Sequence, residues 1–236
     1  MFRGAQDHFL DQELAHSFAQ IVIGLFEAEA SVDRIYEIAR TAFEWGDFFI
    51  EAVEANTSLP RQLACQPGCS CCCHNQVELT PPEAILLGGH LAQRCSPAYL
   101  SNLLELAAQS LDRRVGMTKI QVAARRRELP CPLLLDDNCS VYEVRPLMCR
   151  AMHSLDAAAC RQELTDPKVN RVEFYRHRHS IFLSLSRGLI DGCRTLGYQT
   201  GPLDLSQALQ DYFSQPDLAE AWLLGGQVFR TGPTRE

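Results

Sequence analysis

The sequence lacks an apolar run long enough to cross a membrane, and its early part lacks the features of a secretory signal. The longest early run, Ile21 to Phe26, is far shorter than the roughly 20 residues that a spanning helix needs. It follows Asp11 and Glu13, where a signal peptide would carry positive charge. We therefore expect no membrane association and a cytoplasmic location. In a reducing compartment, clustered cysteines are ligands or redox groups more often than disulfides, and an odd total of 11 fits a disulfide framework poorly.

The chain also lacks an excess of positive charge. It carries 22 Lys and Arg against 29 Asp and Glu, for a net charge of −7. A general nucleic-acid binder gains affinity by neutralising phosphates with cations, so we expect no nucleic-acid partner. The one basic run, Arg125 to Arg127, is typical of the solvated face of a helix.

Alternating strand patterns are nearly absent, and no glycine-rich nucleotide loop follows a strand. Hydrophobic residues make up 46% of the chain and charged residues 22%, which is the balance of a globular protein whose core does not depend on metal alone. The expected fold class is all-α: a helical domain with a loop-built, cysteine-ligated metal centre.

Apolar residues at helical spacing divide the chain into three segments. Residues 1–60 are predicted to form an N-terminal helical hairpin that ends at Pro60. Residues 61–166 form a cysteine-cluster region with inserted helices. Residues 167–236 are predicted to supply C-terminal helices that pack on the same domain.

Individual helix starts are predicted from capping residues. Ser31 is expected to cap the second helix, and Thr80 with Glu83 forms a capping box for the first inserted helix. Ser96 followed by proline begins the next helix, and a third covers roughly 118–129. In the C-terminal segment, residues 169–198 read as one long helix, followed by two short ones.

Eight of the cysteines form two sets of four. The first set has the spacing C-x3-C-x2-C-C, and the second follows after the helical insert. The members are Cys65, Cys69, Cys72 and Cys73, and then Cys131, Cys139, Cys149 and Cys160. Thiolates are soft ligands that select zinc, copper(I) or iron–sulfur clusters, and four of them complete one such site. The count therefore predicts two four-thiolate metal sites.

The assignment of these thiols to the two sites stays open. Neighbouring side chains such as Cys72 and Cys73 diverge, so one of them is expected to reach a second site, which favours two nearby, interleaved sites. Cys71 fits neither spacing, and either Cys71 or Cys72 is the ligand. His74 and His153 are alternatives to a thiolate, because imidazole is a good zinc ligand; otherwise they are loop histidines near the site.

Two arginines accompany the second set. Arg145 and Arg150 are placed to offset the negative charge of a thiolate-bound centre from just beyond its ligands. Ordinary surface ion pairs are the alternative interpretation. Cys95 and Cys193, in contrast, lie in helical contexts far from both sets and are typical of small, inert, buried cysteines.

Together these motifs resemble the YkgJ-type cysteine-cluster proteins, a family described as carrying a zinc- or iron-chelating domain. The resemblance covers about residues 65 to 160 and rests on Cys65-x3-Cys69-x2-Cys72-Cys73, Cys131-Pro132-x-Leu134, Cys139-Ser-Val-Tyr142-Glu143-x-Arg145-Pro146, Cys149-Arg150 and the downstream Cys160. Cys71 inside the first block departs from the family pattern. The resemblance implies metal binding. Flagellin lysine N-methylases carry a related cluster, but the missing nucleotide loop argues against methyl transfer here.

We therefore expect a cytoplasmic metal-binding protein that holds an iron–sulfur or zinc centre, and that is redox-active or an accessory to a modification enzyme. The adjacent cysteines and the two arginines slightly favour iron–sulfur. The additional helices suggest a surface for a protein partner. Two alternatives stay open: a non-enzymatic helical adaptor braced by structural zinc, and a metal storage or delivery protein with exchangeable ligands. No residue is assigned a catalytic role.

Overall fold

The computed structural model describes residues 10–57, 63–166, 172–230 and 232–233. Within these ranges the chain forms ten α-helices: α1 (Gln12–Ala28), α2 (Val32–Asn56), α3 (Pro81–Arg94), α4 (Pro97–Arg114), α5 (Lys119–Ala124), α6 (Leu147–Ala151), α7 (Ala157–Thr165), α8 (Arg176–Thr195), α9 (Leu205–Ser214) and α10 (Leu218–Leu223). There are two antiparallel two-stranded sheets, β1 (Glu78–Leu79) with β4 (Leu203–Asp204) and β2 (Leu134–Leu135) with β3 (Asn138–Cys139). The predicted all-α class is confirmed. Among these helices we find no candidate for a membrane-spanning segment.

The predicted helix starts are found where a side chain caps the first turn. Ser31 accepts a hydrogen bond from a backbone N–H of α2 at 3.3 Å, and Ser96 does the same for α4 at 3.3 Å. Thr80 and Glu83 form the capping box of α3, in which the Thr80 N–H donates to the Glu83 carboxylate at 2.8 Å. These bonds satisfy N–H groups that the first turn of a helix cannot pair internally.

Glu83 also connects α3 to the helix that carries Cys149. Its side chain is buried, and it accepts a hydrogen bond from the Leu147 N–H at the start of α6 at 2.7 Å. Burial raises the pKa of Glu83, while the hydrogen bonds from Thr80 and Leu147 act in the opposite direction. The first turn of α6 is therefore fixed to the first turn of α3.

The long helix α8 lies at the centre of the fold. Helix α1 packs along it, while α2 and α6 also pack against it. The approach of α1 is close because α8 presents glycines to it. A Cβ at Gly188 would lie 2.7 Å from the carbonyl oxygen of Ala15, and one at Gly192 would lie 2.7 Å from the Val22 side chain. Helix α1 is thus a partner of α8 as well as of α2.

One buried core joins the three segments that the sequence suggested. Phe18 of α1, Ile85 of α3 and Phe182 of α8 are all inaccessible to solvent within it. The division of the chain near residues 60 and 166 stays a prediction, and Pro60 lies outside the described residues.

The long C-terminal helix begins later than its apolar spacing predicted. It starts at Arg176, because the residues before it pair with the segment that follows α6. The Tyr175 N–H donates to the His153 carbonyl at 2.8 Å, and the Leu155 N–H donates to the Glu173 carbonyl at 2.9 Å. Extended backbone that is paired in this way cannot continue the helix, and residues 169–171 lie outside the described part of the chain.

The third inserted helix is also shorter than predicted. Helix α5 ends at Ala124 and is followed by a 3-10 turn, Arg126–Glu128. The basic run at this point is not uniformly solvated: Arg125 and Arg127 are exposed, but Arg126 is partly buried. Its guanidinium donates to Asn75 Oδ1 at 3.2 Å and lies 3.5 Å from Glu163 Oε2 of α7. The turn therefore points Arg126 inward.

We predict that Gly188→Ala lowers the free energy of unfolding by about 1–3 kcal/mol, because the added methyl group forces α1 away from α8. Chemical denaturation followed by circular dichroism measures the change. Gly24→Ala is the matched control, since a Cβ at this helical position meets nothing within 4 Å. It should be neutral or slightly stabilising, by up to about 1 kcal/mol. Equal effects of the two substitutions would contradict the close contact at Gly188.

Candidate metal centre

The first cysteine set lies on a loop that is fastened to the second set. Gly68, with φ +85°, allows the tight turn between Cys65 and Cys69. The Gly68 N–H donates to Asn138 Oδ1 at 3.2 Å, and the Ser70 hydroxyl donates to Asp137 Oδ1 at 2.7 Å. Since residues 137 and 138 belong to the β2–β3 hairpin, these bonds hold the first loop against the second block.

The second set is carried by elements tied to the helical core. Cys139 ends the β2–β3 hairpin, and Cys149 lies in α6, whose first turn is bound to Glu83. The Cys131 N–H donates to the Cys73 carbonyl at 2.7 Å, which brings the backbones of the two blocks together. Cys131, Cys139 and Cys149 therefore approach the first block from the side of the core.

Cys160 lies apart from the rest of its predicted set, on α7. Asp156 caps this helix by accepting hydrogen bonds from two N–H groups, at 2.8 and 3.0 Å. Helix α7 packs against the 3-10 turn Cys71–His74, and Arg126 contacts both of these elements. This packing brings Cys160 to the first block, so its spatial neighbours differ from its neighbours in sequence.

The elements that carry the thiols divide them into two groups. The outer group consists of Cys65, Cys69, Cys71 and Cys160. Burial, followed by the charges of Cys69 and Cys160, raises the pKa of Cys71 to about 11. Burial also raises the pKa of Cys65 and Cys160, with smaller contributions from their neighbours in this group. The outer group thus combines the first loop with α7.

The inner group consists of Cys131, Cys139 and Cys149. Burial raises the pKa of Cys131 to about 12, with Cys139 and Cys72 acting in the same direction. The pKa of Cys149 lies well above its usual value, because of burial and then the charges of Cys131, Cys72 and Cys139. Each of these residues keeps some exposed surface.

Cys72 stands between the groups and interacts with both. A hydrogen bond with the Cys73 thiol and burial raise its own pKa far above the usual range. Cys72 and the backbone bond of Cys73 to Cys131 thus lie between the two groups. The predicted interleaving and the eight-cysteine ligand set both stay predictions.

The thiols are gathered but do not surround a metal position. In the described ranges, no three cysteine, histidine, aspartate or glutamate side chains are arranged so that they could hold an ion. All 11 cysteines are free, so their sulfurs remain available as ligands. The chemistry of the donor set fits zinc or an iron–sulfur cluster, and binding has to draw the side chains inward, as in other sites that are completed by their metal.

Arg145 supplies positive charge to the inner group. Its guanidinium lies 3.8 Å above the Tyr142 ring, and its charge opposes the rise in the pKa of Cys139 and Cys149 that burial causes. The Nε atom of Arg145 is buried and has no hydrogen-bond partner among the described residues. This position is consistent with the predicted offset of thiolate charge.

Arg150 is held by contacts to α2 and to the backbone before α6. Its guanidinium donates to Asp47 of α2 at 2.9 Å and to the carbonyl oxygens of Glu143 and Arg145 at 2.5 and 3.1 Å. These bonds turn its charge toward α2, because Asp47 offers a carboxylate there. Arg150 thus supports the backbone that carries Arg145, and its role beside the metal centre stays a prediction.

Both histidines of interest lie at the edge of the cluster. The Nδ1 atoms of His74 and His153 are buried without a hydrogen-bond partner in the described part of the protein. Burial and the charges of Arg178 and Arg145 lower the pKa of His153 to about 4, which keeps its imidazole in the neutral form that can bind metal. Cys193, in contrast, is buried in the helical core, and Cys95 caps the C-terminus of α3.

Several supporting residues could not be recognised from the sequence. Ser154 donates its N–H to Cys65 Sγ at 3.2 Å, and its hydroxyl lowers the pKa of Cys160. Arg178 donates to the Arg150 carbonyl at 2.6 Å and lies 3.5 Å from Asp47. Each of these contacts joins distant parts of the chain, and no local motif marks them.

Comparison with known families identifies the same segment. Residues 64–170, a little under half of the chain, match the family model CxxCxxCC, whose description reads "Putative zinc- or iron-chelating domain". The match confirms the resemblance to the cysteine-cluster family over this segment. No curated protein and no solved structure matches the chain.

We predict that metal affinity falls as the pH is lowered from about 8 to about 6. The buried thiols have raised pKa values and are protonated in this range, so each thiolate that binds metal must first release a proton. Competition with a chelator at several pH values measures the affinity, and a pH indicator in weak buffer measures the proton release. Affinity that is independent of pH, with no proton release, would contradict thiol ligation.

We predict that Arg145→Met weakens metal binding about tenfold, the order expected when a supporting group beyond the ligands is lost. Arg145→Lys keeps the charge and should retain most of the affinity. Arg187→Met is the control, because Arg187 is exposed and pairs with Asp191. Competitive titration with a chelator gives the three affinities. Equal loss in the Met and Lys variants would show that the charge of Arg145 is not what matters.

Proposed function

We propose that this protein binds metal at two adjacent four-thiolate sites, since residues 64–170 match the family model of a zinc- or iron-chelating domain. One observation carries the proposal. Cysteines from the first loop, the second block and α7 come together in one region, because the Cys131 N–H donates to the Cys73 carbonyl at 2.7 Å and α7 packs against the turn that carries Cys71 to Cys73. Inert cysteines have no reason to converge in this way.

Zinc and iron–sulfur remain the two candidate occupants of these sites. The adjacent Cys72 and Cys73 and the charge of Arg145 favour an iron–sulfur centre, which would supply electron transfer or another redox reaction. Zinc at closed four-thiolate sites would instead stabilise the fold. In the iron–sulfur case the protein serves a redox reaction or assists a modification enzyme in the cytoplasm.

A helical adaptor braced by structural zinc is the second candidate function. The contact of Arg150 with Asp47 favours it, since this bond joins the cysteine region to α2, which lies outside the matched segment. The bond of Glu83 to Leu147 joins the same region to α3. Metal that stabilises the cysteine region would through these bonds also stabilise a helical surface for a protein partner.

We predict that Cys69→Ser and Cys139→Ser each lower the metal content per folded chain by about half, because each removes a thiolate from a different proposed site. Cys95→Ser and Cys193→Ser should leave the metal content unchanged. Anaerobic purification, elemental and sulfide analysis and an absorption spectrum measure the outcome. Iron with matching sulfide and broad absorbance near 400 nm (about where these clusters absorb) identifies an iron–sulfur protein.

Colourless protein with about two zinc ions per chain supports the adaptor or a metal-delivery function. Equal metal content in all four variants would contradict the ligand assignment. Absence of zinc and iron from the anaerobically purified parent protein, together with failure to load either metal, would contradict the proposed function.

A further inference from the structure

The negative charge of the protein is concentrated in α1 and α2. Residues 10–57 contain ten acidic residues, two arginines and no lysine, which gives this part of the chain a formal charge of −8. The whole chain has a net charge of −7, so the remaining sequence is close to neutral. Both helices also lie outside the segment 64–170 that matches the family model. The acidity of the protein is therefore a local property of these two helices.

Carboxylates without partners lie along the outward side of α2, whose other side packs against α1, α3 and α8. Asp33, Glu44 and Glu51 are exposed, and within the described part of the chain none of them forms an ion pair or a hydrogen bond through its carboxylate. Since an α-helix turns about 100° per residue, their spacing places the three carboxylates within about 20° of one another, over a length of roughly 27 Å. They form a single acidic row.

This acidic row does not stabilise α2 itself. Helix α2 has no basic residue in its last turn, and carboxylates toward the C-terminus of a helix interact unfavourably with the helix dipole. Glu51 and Glu54 both lie in this part of α2. A row of like charges on one side of a helix is also repulsive, so positive charge from outside the helix would stabilise it.

Exposed aromatic residues lie beside the acidic row. The Phe48 side chain is 66% exposed. Its ring contacts Phe49, and Phe49 contacts Trp45, with ring centroids 5.6 Å apart in each pair. Trp45 in turn lies 5.6 Å from the ring of Phe18, which is inaccessible to solvent. The aromatic residues of α2 are thus supported by the core, and ordered aromatic side chains of this kind are enriched at the centres of protein interfaces.

We infer that the outward side of α2 is a docking face for a partner protein that presents a basic amphipathic helix. Lysines or arginines of the partner helix pair with Asp33, Glu44 and Glu51, and its apolar side covers Phe48 and Phe49. Because the acidic row is roughly 27 Å long, a partner helix of about 18 residues matches it. The inference goes beyond the proposed function and does not require bound metal.

The charge of this region favours a basic protein segment over other occupants of an exposed aromatic surface. Membrane surfaces and nucleic acids are anionic, so a region with a charge of −8 repels both. A second copy of the chain, joined through the same face by two-fold symmetry, would bring the two acidic rows together. These occupants are therefore alternative outcomes of the experiment.

Fluorescence anisotropy of a labelled helical peptide, titrated with the full-length protein, tests the inference. The peptide has about 18 residues, with leucines on one side of the helix and lysines on the other. We expect saturable binding of one peptide per chain. The affinity should fall at least about fivefold when the salt concentration rises from about 0.05 to about 0.3 M, because exposed ion pairs are screened.

Substitutions in the docking face should weaken this binding. Glu44→Gln combined with Glu51→Gln, and separately Phe48→Ala, should each raise the dissociation constant about fivefold to tenfold. All three positions are on the helix surface, and circular dichroism verifies that the variants fold.

Two controls match these substitutions elsewhere on the surface. Glu105→Gln combined with Glu220→Gln makes the same change in net charge at two exposed positions on other helices. Leu224→Ala shortens another exposed apolar side chain, which is 88% accessible. Both controls should bind the peptide as tightly as the parent protein.

Several results would overturn the inference. These are the absence of saturable binding, or an equal loss of affinity in the docking-face variants and their controls. Binding to vesicles of phosphatidylcholine and phosphatidylserine that Phe48→Ala abolishes would assign the face to a membrane instead. Dimerisation that the same substitution abolishes would assign it to a second copy. Metal content, measured on the same samples, reports separately on the proposed function.

Discussion

The buried carboxylate of Glu83 is the interaction on which the geometry of the cysteine region most depends. It accepts hydrogen bonds from the Thr80 N–H, the Thr80 hydroxyl and the Leu147 N–H, at 2.8, 2.7 and 2.7 Å. A buried carboxylate is unfavourable unless hydrogen-bond donors surround it. Moving any of these donors away from Glu83 would therefore cost free energy, which keeps them in place. Glu83 thereby fixes α6, and with it Cys149, to the start of α3.

A second constraint is the charge balance beside the inner group. Arg145, Arg150 and Arg178 lie close enough to affect one another, and Asp47 is the carboxylate that pairs with two of them. Burial, with a smaller contribution from the charge of Arg145, lowers the pKa of Arg150 and Arg178, although Asp47 acts in the opposite direction. Arg150 and Arg178 thus share the carboxylate of Asp47, while the Arg145 guanidinium lies over the Tyr142 ring.

Capping residues in the sequence correctly predicted where several helices begin. Ser31, Ser96 and the Thr80–Glu83 pair cap their helices as expected, because a cap needs only residues within one turn. The start of α8 was placed too early, since its apolar spacing continues into residues that pair with the strand-like segment near Ser154. The position of Cys160 beside the first loop depends on Arg126 and on the packing of α7, contacts that no sequence spacing encodes.

The run of three cysteines explains why the two groups meet where they do. Cys71, Cys72 and Cys73 lie in a 3-10 turn, in which successive side chains point about 120° apart. Three neighbours on such a turn cannot all face one ion. In the structure Cys71 interacts with Cys69 and Cys160 of the outer group, whereas the Cys73 backbone is bonded to Cys131 of the inner group. Cys72, between them, interacts with both groups. The adjacency that is unfavourable for a single site would thus suit the two neighbouring sites proposed above, because the turn presents its three thiols in different directions.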